Sequence, residues 1–335
     1  MEFGPVPLER AEGAILAHSL HVGGLRLRKG RVLERGDLAR LAEGGVREVV
    51  VARPGPGDID ENAAAARLAR ALVPDPKAAG LVPGAPFTGR VNLHAAAPGL
   101  LSLDAGAIRA LNKVDPGITL ATLPEYARLA QGTLAATVKI IPYAVEARRL
   151  EAACAAADCA LALRPIMRRS AGLILTSVPG QADKLNAKGR RAIGQRLQSL
   201  GVALASSVEV AHERDAIAAA LTQLEGEVIL ILTGSATSDI RDTAPEALRK
   251  AGGRVDRFGL PVDPGNLLFL GELNGRPVIG LPGSARSSVA HGVDRILERI
   301  ICGVTIDDDD IAAMAIGGLL KEVPGRPQPR EPRAR

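Results

Sequence analysis

The sequence predicts an α/β protein with a mostly parallel sheet, preceded by a mixed α+β region. Two observations carry this. From Ser170 onward, short apolar runs alternate with segments of helical period, as in "AGLILTS" followed by "KLNAKGRRAIGQRLQSLG". Before that point the pattern is irregular and broken by proline and glycine, above all in "PDPKAAGLVPGAP" at 74–86. The 335 residues, 47% hydrophobic, suffice for two or three domains with cores of their own. The predicted divisions are an amino-terminal α/β region at 1–80, a mixed α+β middle domain at 81–165, the main α/β domain at 166–303, and a short helix with a Pro-rich tail at 304–335.

Taken in order, "VPLERAEGAILAHSL" has helical spacing at Leu8, Ala11, Ile15 and Leu16. Asp37 is placed to cap a short helix closed by Gly44 and Gly45, and Val46 to Val51 reads as a strand. "DIDENAAAARLARALV" is a helix with acids at its start. In the middle region "DAGAIRALNKV" and "LPEYARLA" read as short helices, "TLAATVKIIPYAV" as a strand, and "VEARRLEAACAAADCALAL" as a longer helix. The regular part then gives "VALASSVEV" and "EVILILT" as strands. "HERDAIAAALTQL" and "APEALRKAGG" are helices, "NLLFLGELNGRPVIGLPG" is two strands around Asn274-Gly275, and "SSVAHGVDRILERII" is the last long helix. Four acids, Asp307 to Asp310, mark a solvated helix start. "PGRPQPREPRAR" reads as a linker or disordered tail.

Aromatics are 2% with no Trp, so the cores must be aliphatic. Net charge is +5, but acids and bases are interleaved. No basic block carries stacking aromatics, which argues against nucleic acid and suits a small anionic ligand. Cys154, Cys159 and Cys302 make no disulfide framework, and the first two read as small thiols buried in an Ala-rich helix. The histidines show no metal-ligand spacing, and His291 reads as a packing or surface residue of the last helix. The start lacks a charged region followed by an apolar one, and no apolar run is long enough to span a bilayer. The expectation is a soluble, cytoplasmic protein without a membrane partner.

Three loops fall at strand ends: "LTSVPGQADK" (175–184), "LTGSATSDIRD" (232–242) and "LPGSARSS" (281–288). Each leads from a strand towards a helix, whose first N–H groups and positive dipole end hold phosphate and other oxyanions. Thr233, Gly234, Ser235, Thr237 and Ser238 supply close approach and hydroxyl donors in the second loop. Pro282, Gly283, Ser284 and Arg286 do so in the third, where Arg286 adds positive charge. Asp239 and Asp242 are the unusual members, because a carboxylate repels an anion. They make sense as ligands of a divalent metal, Asp242 also as an acid/base, and Asp242 equally as a helix cap. A capping box of Thr243 and Glu246 competes with that last reading.

"LTGSATSDIRDTAPEAL", followed by "GRPVIGLPGSARSSVAHGVDRIL", resembles the molybdopterin-binding domain of molybdopterin molybdotransferases, molybdopterin adenylyltransferases and gephyrin. The resemblance is strongest over 170–303. "RLRKGRVL" and "FTGRVNLHA" resemble the molybdotransferase amino-terminal domains, and the large carboxyl-terminal domain of full molybdotransferases has no counterpart. The resemblance implies a three-layer α/β/α domain and a ligand that is the pterin phosphate or its adenylate. The reaction it implies is molybdate insertion assisted by Mg²⁺, with Asp242 as the loop aspartate. A homodimer and a nucleotidyltransferase partner are implied as well. Asp263-Pro264-Gly265-Asn266 stands where molybdotransferases have Lys-Pro-Gly-Lys, which removes two positive charges. That difference favours an alternative, a non-catalytic pterin carrier. A hydrolase of nucleotide-like substrates is the other alternative, since a related domain occurs in nicotinamide-nucleotide amidase-type proteins.

Overall fold

The computed structural model describes residues 1–22, 24–180 and 184–321. Part of the first loop, 181–183, and the Pro-rich tail from 322 lie outside the described residues. The chain divides into two compact units, Met1–Leu163 and Arg164–Arg335.

The first unit opens with a three-stranded sheet. Strand Glu48–Arg53 is central, with Glu2–Pro7 and Ile15–Leu16 antiparallel on either side. The helix expected over "VPLERAEGAILAHSL" is therefore two strands joined by a short 3₁₀ turn, Leu8–Arg10. Of the residues with helical spacing, Leu8 and Ala11 are buried from the turn, while Ile15 and Leu16 belong to the second strand, Leu16 buried and Ile15 half-buried. Pro5 and Pro7 fit an edge strand, where no ladder N–H is missed. Asp37 is not the cap of helix Arg35–Glu43; Glu34 is, and Asp37 reaches back to the Glu34 N–H and pairs with Arg31 at 2.8 Å.

The rest of the unit is a four-stranded antiparallel sheet in the order Ile118–Thr122, Leu134–Ile140, Arg90–Ala95, Leu81–Pro83. Helices Glu61–Leu72 and Ala147–Ala156 share its core through Leu68, Leu72, Leu150 and Ala153. "LPEYARLA" forms no helix: Tyr126 is left-handed at φ 57° and Arg128–Leu129 pairs with Gly99–Leu103. The single strand expected over "TLAATVKIIPYAV" is cut at Pro142, and Ala144–Glu146 pairs instead with Asp58–Asp60. The following helix is shorter than its Ala-rich sequence suggests. Cys159 lies beyond it at φ 53° and is exposed, so it is not a buried helical thiol.

The second unit realises the predicted alternation. Its strands are β1 (Ser170–Ser177), β2 (Ala203–Ala211), β3 (Val228–Leu232), β4 (Arg254–Phe258), β5 (Phe269–Leu273) and β6 (Arg276–Leu281). They form one sheet in the order β2-β1-β3-β6-β5-β4. The first four in that order are parallel, and β5 and β4 complete the sheet antiparallel. Side chains alternate across a sheet, and both faces here are apolar. Leu173, Leu175, Leu230 and Leu232 share one core with helices α1 (Lys184–Ser199) and α4 (Gly292–Ile301). Ile174, Ile229 and Ile231 share the other with α2 (Arg214–Gln223) and α3 (Thr243–Lys250). This is the three-layer α/β/α arrangement. A short helix, α5 (Asp308–Ala313), follows, capped by Asp307 with Asp310 as expected of the acid run. Because β2 and β3 flank β1 on opposite sides, the strand order reverses there, and such switch points open a crevice at the strands' carboxyl ends.

Among the described residues no helix is long and apolar enough to cross a membrane.

Candidate functional site

The carboxyl ends of β1, β3 and β6 tie the three loops to one another. Thr176, at the end of β1, accepts the Gly234 N–H through Oγ1 at 2.7 Å. Thr233 donates its hydroxyl to the Leu281 carbonyl at 3.3 Å. Arg286 donates Nη2 to the Thr233 carbonyl at 3.0 Å. Gly234 is half-buried, while Ser235, Ser238, Gly283 and Ser284 are exposed at the open side of this cluster. Thr233, Thr237 and Pro282 are buried and serve the packing of the loops rather than their open face.

Arg286 is not the surface charge its sequence suggests. It is 7% exposed, its Nε has no hydrogen-bond partner, and no carboxylate pairs with it among the described residues. Burial lowers its pKa, and no acid among the described residues pulls it back. Two bare backbones make room for it. A Cβ at Gly283 would stand 3.1 Å from Nη1, and one at Gly189 of α1 would stand 3.4 Å from Cγ and 2.5 Å from Leu232. Among the described residues this cation has no counterion, a place that an anion would fill.

Asp242 is the N-cap of α3. One carboxylate oxygen accepts the Thr243 N–H at 2.6 Å, and the other accepts the Ser238 N–H at 2.9 Å and the Ser238 hydroxyl at 3.3 Å. The competing Thr243–Glu246 capping box does not form, and Glu246 pairs with Arg249. Burial on its own would raise the Asp242 pKa, but these donors and the nearby His212 outweigh it, and the group titrates below the ordinary range. A carboxylate stabilised in this way is a poor proton acceptor. Asp239 is exposed, and Arg241 occupies it through both its N–H and its Nε. Among the described residues no three His, Cys, Asp or Glu side chains gather as metal ligands. Asp239 and Asp242 thus do not make a preformed Mg²⁺ site, since the α3 cap holds both Asp242 oxygens and Arg241 holds one of Asp239.

Substituting Asp242 by Asn keeps an acceptor for one N–H but turns an NH₂ toward the Ser238 donors. The expected cost is about 1–2 kcal/mol, more than a simple cap exchange, because a donor then faces a donor. Chemical denaturation checks it, and a loss of only a few tenths would mean that the Ser238 contacts contribute nothing.

Ser284 and His291 are hydrogen-bonded, Oγ to Nε2 at 2.9 Å, with Asp294 adjacent. This has the outline of a nucleophilic triad, but the proton positions forbid it. His291 Nδ1 lies 3.2 Å from the Val293 N–H, which can only donate, so Nδ1 accepts and Nε2 carries the proton. His291 therefore donates to Ser284 and cannot deprotonate it. Ser284 keeps its own hydroxyl proton for a ligand. His291 is 1% exposed and caps α4, which begins at Gly292, later than the sequence suggests.

Burial, with Arg196 adding repulsion, lowers the His291 pKa from 6.5 to about 4. The unfolded chain then takes up this proton first. The related stability is complete above about pH 6.5 and is lost as pH falls towards 4, an expected total of roughly 3 kcal/mol. Unfolding midpoints across that window should drop in the wild type, with that component absent in His291→Asn. Parallel profiles would contradict the assignment.

Other residues of this edge are not singled out by the sequence. Arg196 of α1 is half-buried, pairs with Asp294 at 2.7 Å, and donates to the carbonyls of Ala285 at 3.0 Å, Ser287 at 2.7 Å and Val289 at 3.2 Å. Asn186 donates to Ser177 Oγ at 2.8 Å and to Glu209, which also accepts Ser177 Oγ. The Asn186 and Ser177 donors lower the Glu209 pKa. His212, directly after β2, contacts Thr176. Its position at a strand's carboxyl end was the available signal. A groove of about 440 Å³ elsewhere in the unit passes Arg168, Arg257 and Asp307. Its Arg257 is already neutralised by Asp308 at 2.9 Å, unlike Arg286.

Residues 178–302 match the family model described as a probable molybdopterin binding domain. This segment belongs to that domain family. The molybdopterin-binding domain so defined runs from just after β1 to just past α4 and holds most of the loop cluster. Residues 5–53 match a domain of unknown function. No curated protein matches the chain. Among solved structures, the molybdopterin biosynthesis MoeA protein of Pyrococcus horikoshii is 14% identical, covering 90% of this chain and 75% of its own, with a TM-score of 0.31. The molybdopterin biosynthesis enzyme MoaB of Thermus thermophilus is 20% identical over 41% of this chain and 98% of its own, with a TM-score of 0.30. A CinA protein of unknown function from Thermoplasma acidophilum is 16% identical over 40% and 98%, with a TM-score of 0.28. Superpositions this loose carry no weight, and the assignment rests on the family match.

Proposed function

We propose that the second unit binds molybdopterin, or its adenylate, through the phosphate, and that the protein acts in molybdenum-cofactor biosynthesis. The observation that carries this reading is Arg286, a buried guanidinium with no counterion among the described residues, at the meeting of three loops in a molybdopterin-binding domain. The Gly234 and Gly283 turns bring backbone close to the ligand, Ser235 and Ser284 donate hydroxyls, and Arg286 neutralises the phosphate from below, while Ser238 is engaged by Asp242. Molybdate and adenylated pterin are the substrates of the insertion reaction in this reading, with the three loops holding the pterin phosphate. Mg²⁺ has no part in the proposal, because the two loop aspartates are already engaged by protein donors. Association as a homodimer and docking of a nucleotidyltransferase belong to the proposal as well, and sedimentation with and without such an enzyme tests both.

A carrier that holds the pterin without turning it over is the second reading. Asp242 favours it, being capped and a poor base. The hydrolase reading gains no activated serine at Ser284, because His291 donates to it. The deciding experiment has two arms. Small molecules released from purified protein are oxidised and examined for pterin fluorescence and mass, and turnover of adenylated pterin is followed with molybdate present. Pterin without turnover selects the carrier. Neither pterin nor added-pterin binding defeats the proposal.

A further inference from the structure

We propose that His212 is a ligand-binding residue of this site, presenting its Nε2–H to a tetrahedral oxyanion held at the switch point between β1 and β3, and that a proton gained by its ring tightens that hold. The inference rests on the anion reading of the loop cluster and adds to it a residue and a pH dependence.

The placement comes from topology. β2 lies beside β1, and its end delivers His212 to the crevice where the strand order reverses. The backbone is fixed there, since the His212 N–H donates to the Ser177 carbonyl at 2.8 Å. The ring is fixed by Thr176. That hydroxyl is fully buried and already accepts the Gly234 N–H. A buried hydroxyl must also place its own proton, and His212 Nδ1 at 2.8 Å is the acceptor found for it among the described residues. Nδ1 is therefore an acceptor, and in the neutral ring Nε2 carries the hydrogen. No partner for Nε2 occurs among the described residues, and the ring is half-buried. The same hydroxyl thus positions both the Gly234 turn of the second loop and the imidazole.

The charges around the ring favour one kind of ligand. Thr176 and Ser177 of β1 and the Gly234 turn bring hydroxyl, carbonyl and N–H groups only. On β2 itself Glu209 is engaged by Asn186 and Ser177. From the second loop Asp242 is the charged group whose field reaches the ring. Burial holds the ring neutral to lower pH than an ordinary histidine, and Asp242 offsets part of that. An oxyanion at Nε2 adds negative charge beside the ring and favours its protonated form, in which Nδ1–H becomes a donor and the Thr176 hydroxyl turns to accept it. By linkage, the anion binds more tightly as pH falls through the titration of the ring.

Sulfate is the probe, because its charge is constant over the range in which histidine titrates. Its affinity is measured against pH for the full chain and for His212→Gln and His212→Phe, with circular dichroism as the check on folding. Affinity of the wild type should rise as pH falls through the histidine range. His291 does not confuse this, since it titrates near 4. His212→Gln keeps an N–H donor but cannot titrate, so its profile should be flat. His212→Phe should bind about tenfold more weakly even at neutral pH, through loss of a hydrogen bond to a charged group. Nitrogen-edited NMR should show sulfate moving the ring's midpoint upward. Sulfate binding with the same pH profile and strength in all three proteins would reduce His212 to a support for Thr176 and overturn the proposal. Absence of sulfate binding in the wild type would instead overturn the anion reading itself, and this proposal with it.

Discussion

Replacing Arg196 by alanine is expected to cost the second unit about 1.5–3 kcal/mol, the range for lost hydrogen bonds to a charged group, since its partner Asp294 is 30% exposed. The guanidinium is 9% exposed and holds Asp294 together with three carbonyls of the loop after β6. In its absence Asp294 loses its cation and the carbonyls of Ala285, Ser287 and Val289 lose their donor. The damage should be local as well as global. Hydrogen exchange in 284–291 should speed up more than in β1 or β3, and anion binding should weaken because Ser284 and Arg286 belong to the freed loop. Arg196→Lys should fall between, since an ammonium cannot reproduce the planar fork. A loss below about 1 kcal/mol in the alanine variant would show that the loop is held by other means.

Arg286→Met should behave in the opposite sense. Methionine fills much of the same volume without bringing a charge that has to be desolvated. The unliganded protein should therefore be as stable as wild type or more so, as when buried charges are exchanged for apolar groups. Binding of pterin phosphate should fall by about a hundredfold, which corresponds to roughly 2.7 kcal/mol for a buried charge-assisted contact. Fluorescence titration with pterin phosphate and thermal unfolding without it measure the two halves separately. A variant that binds as well as wild type would place the phosphate elsewhere. One that fails to fold would show that the Arg286–Thr233 bond is needed for the β3 loop itself.

The parallel unit was legible because its signals are local and redundant. Val228 to Leu232 is apolar at every position since both sheet faces are covered, and the loops after β1, β3 and β6 could be ranked by their small residues alone. The first unit was less legible. Its strands are short, and Leu8, Ala11, Ile15 and Leu16 mimic a helix because a turn and the strand after it bury apolar residues at similar spacing. The site was legible as backbone and hydroxyl groups but not as a network. Arg196 and Asp294 are 98 residues apart, and nothing near Arg196 in sequence shows that it is half-buried. The depth of Arg286 was not legible, since part of the space it occupies comes from Gly189 on a different element. Asp242 was ambiguous between cap and reactive group because both require the same residue at the same place. The geometry of Ser238 and Thr243 establishes the cap.

The clamp formed by Arg196 has a consequence for how this protein can change over generations. It grips main-chain carbonyls, which are chemically the same whatever side chain a residue carries. The path of the segment after β6 is therefore dictated by a helix lying earlier in the chain, and its own side chains are largely free to drift. Ser284, Ser288 and Val289 are exposed and can be exchanged without redrawing that path. A descendant could alter what it recognises through one or two such exchanges, while a change at Arg196 would remove the scaffold on which any such variation depends.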